Sequence, residues 1–271
     1  MRSHKTFFHT LALAILATAA QAQSADPESI AVPLTDPSQP AMLRASLVNG
    51  SLAVEGYDGS EILVMVSERA GDEEKERRDG MMRIPNTGFG LTISENANKV
   101  TVSADWSRRP IDLVMRVPRR TSVRLSSTTN GELRIQGVTG EHELSNTNGA
   151  IYALEVSGSV VASTTNGRVE VSFVDMQADK PMSFTTWNGD VDVTLPAGLR
   201  ADLKLESGQG NVYSDFDVEL KPMATRVQRE GGAGAFRVRV ERAVEGAIGG
   251  GGPQFHFKTF NGSIYLRRAG G

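Results

Sequence analysis

The sequence predicts an all-β protein built as a β-solenoid, and three observations carry that prediction. An Asn-Gly corner recurs together with its flanks, in SSTTNGELRI, SNTNGAIYA, STTNGRVEV, TTWNGDVDV and KTFNGSIYL, with a worn copy in ESGQGNVYS. The spacing is short and nearly constant: Asn130, Asn148 and Asn166 lie 18 residues apart, Asn188 follows after 22, and Gln209 of the worn copy after 21. After each corner, apolar residues alternate with a period of two, as in a strand with one buried face. Counted from the Asn, position +3 is Leu133, Ile151, Val169, Val191, Val212 and Ile264. Self-similarity at such a period marks units that bury themselves only by stacking on their neighbours.

The elements follow in chain order. Residues 1–22 have a positive start (Arg2, Lys5), an apolar run over 11–20 and the small-x-small end Ala20-Gln21-Ala22. These are the three parts of a secretory signal peptide. The run is well short of the ~20 apolar residues a spanning helix needs, and no later stretch could cross a bilayer. A soluble, exported protein of the periplasm, cell surface or extracellular space is therefore expected. Residues 23–40, with Pro27, Pro33, Pro37 and Pro40, read as a flexible leader. Residues 41–117 read as an N-terminal β cap containing an early corner at Asn49-Gly50 and a charged insertion at 68–80. The repeats proper occupy 118–268, and 269–271 is a tail.

The corner has a physical reading. Its members are Asn130-Gly131, Asn148-Gly149, Asn166-Gly167, Asn188-Gly189 and Asn261-Gly262. Glycine permits positive φ, and Asn tolerates it. Asn-Gly also suits two-residue hairpins, so an antiparallel meander is the alternative. The fixed phase favours stacking, as does position −2, which is Thr128, Asn146, Thr164, Thr186, Ser207 and Thr259. Stacked coils would let these small polar side chains hydrogen-bond one another up the column. A second set of strands precedes the corner, and Val138-Thr139-Gly140 and Val156-Ser157-Gly158 turn the chain between the sets.

Composition narrows the chemistry. With no cysteine, a lipid-anchoring Cys, disulfides and thiolate metal sites are excluded. The formal charge is −3, or −5 without Arg2 and Lys5, and no basic face suggests a nucleic-acid partner. Beyond residue 22 the histidines are His142 and His256, outside any metal-spaced cluster. His142 reads as structural or exposed. The run Gly249-Gly250-Gly251-Gly252 lacks the Lys-Ser/Thr of a phosphate cradle. No catalytic residue, metal or cofactor is assigned.

The candidate ligand-binding residues are aromatic. Tyr152, Tyr213 and Tyr265 share the +4 column, and Trp187 and Phe260 the −1 column. Outward rings could stack on sugars or on another protein; the competing reading is that they shield neighbouring coils. Asp190, Asp192, Asp215 and Asp217 keep a second alternative open, a polysaccharide-active enzyme working with surface aspartates. In-register stacking would set Asp190 beside Arg168 and Asp192 beside Glu170, a like-charged pair that Ca²⁺ could relieve.

The corner pattern S-T-x-N-G-x-[IV]-x-[VA], the run Asp79-Gly80-Met81-Met82-Arg83-Ile84-Pro85 and Tyr213-Ser214-Asp215-Phe216 resemble a bacterial family. It comprises exported β-strand-repeat proteins called "putative adhesins", a domain of unknown function, and the resemblance runs over residues 41–268. It implies an extracytoplasmic β-solenoid with no established catalytic activity and no defined binding residues. The expected role is non-enzymatic: an envelope binding or structural module whose partner is an unidentified protein or glycan. Self-association through exposed strand edges is a further expectation.

Overall fold

The alternation after each corner is realised as strands that pair in parallel and in register. A computed structural model describes residues 28–68, 77–78, 81–82, 90–104, 110–177, 179–221, 226–232, 235–241 and 243–270. Among these residues every regular element is a strand, and no helix is long and apolar enough to cross a membrane. The signal-like segment 1–22 lies outside the described residues, as does most of the charged stretch 68–80.

The large sheet reads as eight rungs, each with one strand on a first face and one on a second. In stack order the first face runs Lys99–Ala104, Ala41–Asn49, Thr121–Thr129 and Thr139–Asn146. It continues through the latter half of Ile151–Ser163, then Met182–Thr185, Gln254–Thr259 and Ala201–Ser207. The second face runs Ile111–Pro118, Leu52–Tyr57, Leu133–Gln136 and the first half of Ile151–Ser163. It ends with Val169–Met176, Val191–Leu195, Ile264–Arg268 and Val212–Ser214. Antiparallel strands lie on the outer rungs. At one end these are Leu91–Asn96 and Glu61–Glu68, the latter carrying Glu28–Pro33. At the other end Val244–Ile248 pairs with the first face and carries Glu219–Leu220.

Stack order and chain order part company at both ends. Rung 2 (from Ala41) precedes rung 1 (from Lys99) in the chain, and rung 8 (from Ala201) precedes rung 7 (from Gln254). The 21-residue step suggested that Gln209 follows Asn188 directly. Instead Asn188 bridges to Asn261, and Ile264 sits between Val191 and Val212. Residues 41–117, expected as a cap, supply rungs 1 and 2 of the same stack. Residues 28–33, expected within the flexible leader, form a strand against Glu61–Glu68. There the alternation of Ile30, Val32 and Leu34 outweighs the nearby prolines, Val32 and Leu34 being buried, and Pro33 sits at the strand end, where a missing N–H is tolerated.

The interior is aliphatic and continuous. Leu133, Ile151, Val169 and Val191 stand over one another, each 0% exposed. Toward rung 7 the core turns aromatic, with Phe184 stacked on Phe257 at 5.1 Å between ring centroids. The second bend lies at Val156-Ser157-Gly158, preceded by Glu155 at φ 52°, so one 13-residue strand serves two rungs.

The polar column at −2 behaves differently from the expectation. Its side chains bond the corner glycine of the preceding rung rather than one another. Thr164 Oγ1 donates to Gly149 O at 2.9 Å, Thr186 Oγ1 to Gly167 O at 2.7 Å and Thr259 Oγ1 to Gly189 O at 2.7 Å. Asn146 Nδ2 does the same to Gly131 O at 2.8 Å, and Ser207 Oγ to Gly262 O at 3.0 Å. In the first copy Ser127, not Thr128, takes this role toward Gly50 O at 3.0 Å, because Asn130 is left-handed (φ 52°) and shifts the register by one. Thr186→Val keeps the shape and strands a corner carbonyl, so a loss of about 1–2 kcal/mol is expected in urea unfolding.

The side chains that do bond along the stack are the corner asparagines. Asn166 Nδ2 donates to Asn148 Oδ1 at 2.7 Å, Asn188 to Asn166 at 2.6 Å and Asn261 to Asn188 at 2.7 Å. Asn166 and Asn188 thereby use both a donor and the acceptor of the carboxamide, which only Asn offers at this length.

Candidate functional site

Outward parity puts the aromatic candidates on the surface, and the rung order decides which of them meet. On the second face the +4 column reads Arg134, Tyr152, Glu170, Asp192, Tyr265 and Tyr213. Tyr265 and Tyr213 are brought together, their rings stacked at 5.2 Å and 12°. Tyr152 is not joined to them; two acidic positions intervene, and its ring takes the Arg134 guanidinium at 4.5 Å. At the corner, Trp187 stacks on Phe260 at 4.5 Å and 14°, while the next rung offers Gly208, where a side chain would strike the Phe260 ring. Trp187 is 53% exposed, Tyr213 50% and Phe260 39%. Stacked this way, the rings cover part of one another, Tyr265 being half-buried while the other three are exposed, so shielding and exposure hold together.

Charge is organised around the same columns. Arg267 forks onto Asp192 with bonds of 2.7 and 3.0 Å and lies 5.5 Å above the Tyr265 ring. That fork, and Arg168 reaching Glu170 at 3.6 Å, relieve the repulsion expected between Asp192 and Glu170. Asp190 accepts from the Ser263 N–H at 2.8 Å instead of meeting Arg168. Asp215 accepts from the Arg268 N–H at 3.2 Å and lies two rungs from Asp192. Among the described residues no three of the His, Asp and Glu side chains converge as a metal set would require.

Two features escaped the sequence reading. On the outer side of the first face, Glu206 is ringed by Lys204 at 2.5 Å, His256 at 3.2 Å and Lys258 at 3.3 Å. Partial burial pushes its carboxyl up, but hydrogen bonds from Lys204 and Lys258 prevail and hold it at about 2. The signal was the i, i+2 pattern of Lys204-Glu206 and His256-Lys258, legible only once their strands are known to be neighbours. The second is His142, which is 2% exposed and, among the described residues, has neither ring nitrogen hydrogen-bonded. Its parity with Leu144 and Asn146 pointed inward from the start. It stands between Val123 and Val160, and burial drives its pKa down to about 4 against a weaker pull upward from the backbone at Ser157 and Val138.

Comparison with known proteins places these observations. A solved structure from Clostridium sporogenes, a "putative cell adhesion protein", is similar at 12% identity and a TM-score of 0.47, over 90% of this chain and 100% of that one. A "putative adhesin" from Bacteroides fragilis is similar at 10% identity and a TM-score of 0.29, over 90% of this chain and 98% of the other. No curated protein matches the chain. A family model matches residues 120–243, a narrower span than the 41–268 over which the resemblance was read. The resemblance drawn from the Asn-Gly corners nonetheless holds: over residues 120–243 this chain matches the Toastrack family, DUF4097.

Proposed function

We propose that the chain is an exported, non-enzymatic binding module of the cell envelope, a β-solenoid whose contact surface is the pair of aromatic columns at rungs 6 to 8. One observation carries this reading: four rings stack in two pairs close to one end of the stack, and three of them, Trp187, Phe260 and Tyr213, stay exposed. Rings held flat against each other are pre-ordered, so a partner pays little entropy to use them, and Trp and Tyr combine apolar area with a polar tip. Arg267, fixed by Asp192 over Tyr265, supplies a positive, rigid donor beside the Tyr pair. Export is supported by Arg2, Lys5, the apolar run and Ala20-Gln21-Ala22. The partner is an envelope protein or glycan.

The test joins location to binding. Tagged protein is localised by fractionation, captured with its partners from that compartment, and assayed on a glycan array. Trp187→Ala and Tyr213→Ala are each expected to weaken the captured interaction about tenfold or more, roughly 1.4 kcal/mol, with little change in Tm. Binding unchanged in both variants, or release of reducing sugar from a bound glycan, defeats the reading.

A further inference from the structure

The six Asn-Gly pairs share one covalent chemistry and differ in what restrains them. Asparagine before glycine is the pair whose backbone nitrogen most readily attacks the preceding carboxamide, because no side chain hinders the approach. The attack needs that nitrogen out of a hydrogen bond and the carboxamide able to turn. At rungs 4 to 6 neither condition is met. Gly149 N–H donates to Asn166 O at 2.8 Å, Gly167 N–H to Asn188 O at 2.8 Å and Gly189 N–H to Asn261 O at 3.0 Å. The carboxamides are locked as well, Asn148, Asn166 and Asn188 each accepting from the next asparagine along the ladder. The earlier corners are held too, though less tightly: Gly50 N–H reaches Thr129 O at 3.2 Å and Gly131 N–H reaches Asn148 O at 3.4 Å.

The ladder stops at Asn261. Rung 8 presents Gln209 in place of an asparagine, and the corner bridges run Asn148, Asn166, Asn188, Asn261 and no further. Among the described residues the Gly262 N–H has no acceptor and Asn261 Oδ1 has no donor. Solvent exposure does not separate the four, since Asn148, Asn166, Asn188 and Asn261 are all exposed. Hydrogen bonding does.

We propose that Asn261–Gly262 is a site of spontaneous deamidation, and that the ladder protects the corners below it. The Gly262 nitrogen bonds to Asn261 Cγ, the Cγ–Nδ2 bond breaks, and Nδ2 leaves as ammonia carrying the proton from the Gly262 amide. Water then opens the cyclic imide at either carbonyl, giving aspartate or isoaspartate. Either product removes the donor that Asn261 gives to Asn188 and sets a negative charge next to Phe260. Isoaspartate also lengthens the backbone by one carbon at a corner so tight that a Cβ on Gly262 would lie 2.0 Å from Gly189 O.

The experiment uses the full mature chain. Folded protein is aged in mildly alkaline buffer at body temperature and sampled over days. Acidic digestion and mass spectrometry then locate the amide-to-acid mass gain, and an isoaspartate-specific methyltransferase confirms the product. Asn261 is expected to convert at least about tenfold faster than Asn148, Asn166 or Asn188, and the four are expected to convert alike in denaturant. Equal rates at the four positions in folded protein overturn the proposal. So does an Asn261 that is slow when folded and fast when denatured.

Discussion

Gly149→Val yields a chain that no longer folds through rungs 3 to 5, a loss above about 4 kcal/mol. A Cβ at Gly149 would lie 1.9 Å from Gly131 O, and the residue sits at φ +149°, where side chains are strained. The obstacle is backbone, so no side-chain rotation relieves it. The rung cannot move away from Gly131 without giving up the Asn146–Gly131 side-chain bond and the Gly131–Asn148 backbone bond together. Rungs in a stack are stabilised by their neighbours, so the damage spreads on both sides. Gly198→Ala is the control, because nothing lies within 4 Å of the added carbon, and its Tm should match the parent. Circular dichroism melts of the two variants decide the matter, and a parental Tm for Gly149→Val would refute the close-approach account.

The second large effect is acid lability from His142. Burial lowers its pKa in the folded chain to about 4 from 6.5, so on acidification the unfolded chain takes up this proton first. Stability is therefore fully present above pH 6.5 and falls as pH drops toward 4, by about 3 kcal/mol in all. His142→Leu removes the titrating group from a column whose neighbours are Val123 and Val160. It also ends the cost of two buried, unpaired ring nitrogens. Urea titrations between pH 7 and pH 4 should show a flatter profile for the variant and a higher midpoint at neutral pH. Parallel profiles for parent and variant would remove His142 from the explanation. Glu206 adds a second loss at lower pH: its depressed carboxyl favours the folded chain above its ordinary range and ceases to do so as pH falls toward about 2.

Much of this architecture was legible because a period of two and a fixed corner are local properties. The buried identity of Leu133, Ile151, Val169 and Val191 follows from counting two residues past each Gly, and the outward place of Tyr152, Tyr213 and Tyr265 from the opposite parity. Rung order was not legible. Every rung presents the same kind of edge and the same phase, so sequence spacing says that Gln209 and Asn261 each head a rung without saying which lies against Asn188. That hidden order determines the candidate site: Tyr265 meets Tyr213, and Trp187 meets Phe260, because rung 7 is inserted between rungs 6 and 8. The strand at Glu28–Pro33 was obscured for another reason. Its partner Glu61–Glu68 pairs antiparallel outside the repeat, so no periodic signal announces it.

The inverted order near both ends has a mechanical meaning. The last described strand, Ile264–Arg268, is gripped along both edges, by Val191–Leu195 and by Val212–Ser214, and Ala41–Asn49 is gripped likewise. A load drawn through the C-terminal side therefore meets a middle slat rather than a loose outer one. It must shear two ladders at once instead of unzipping a single edge bond by bond.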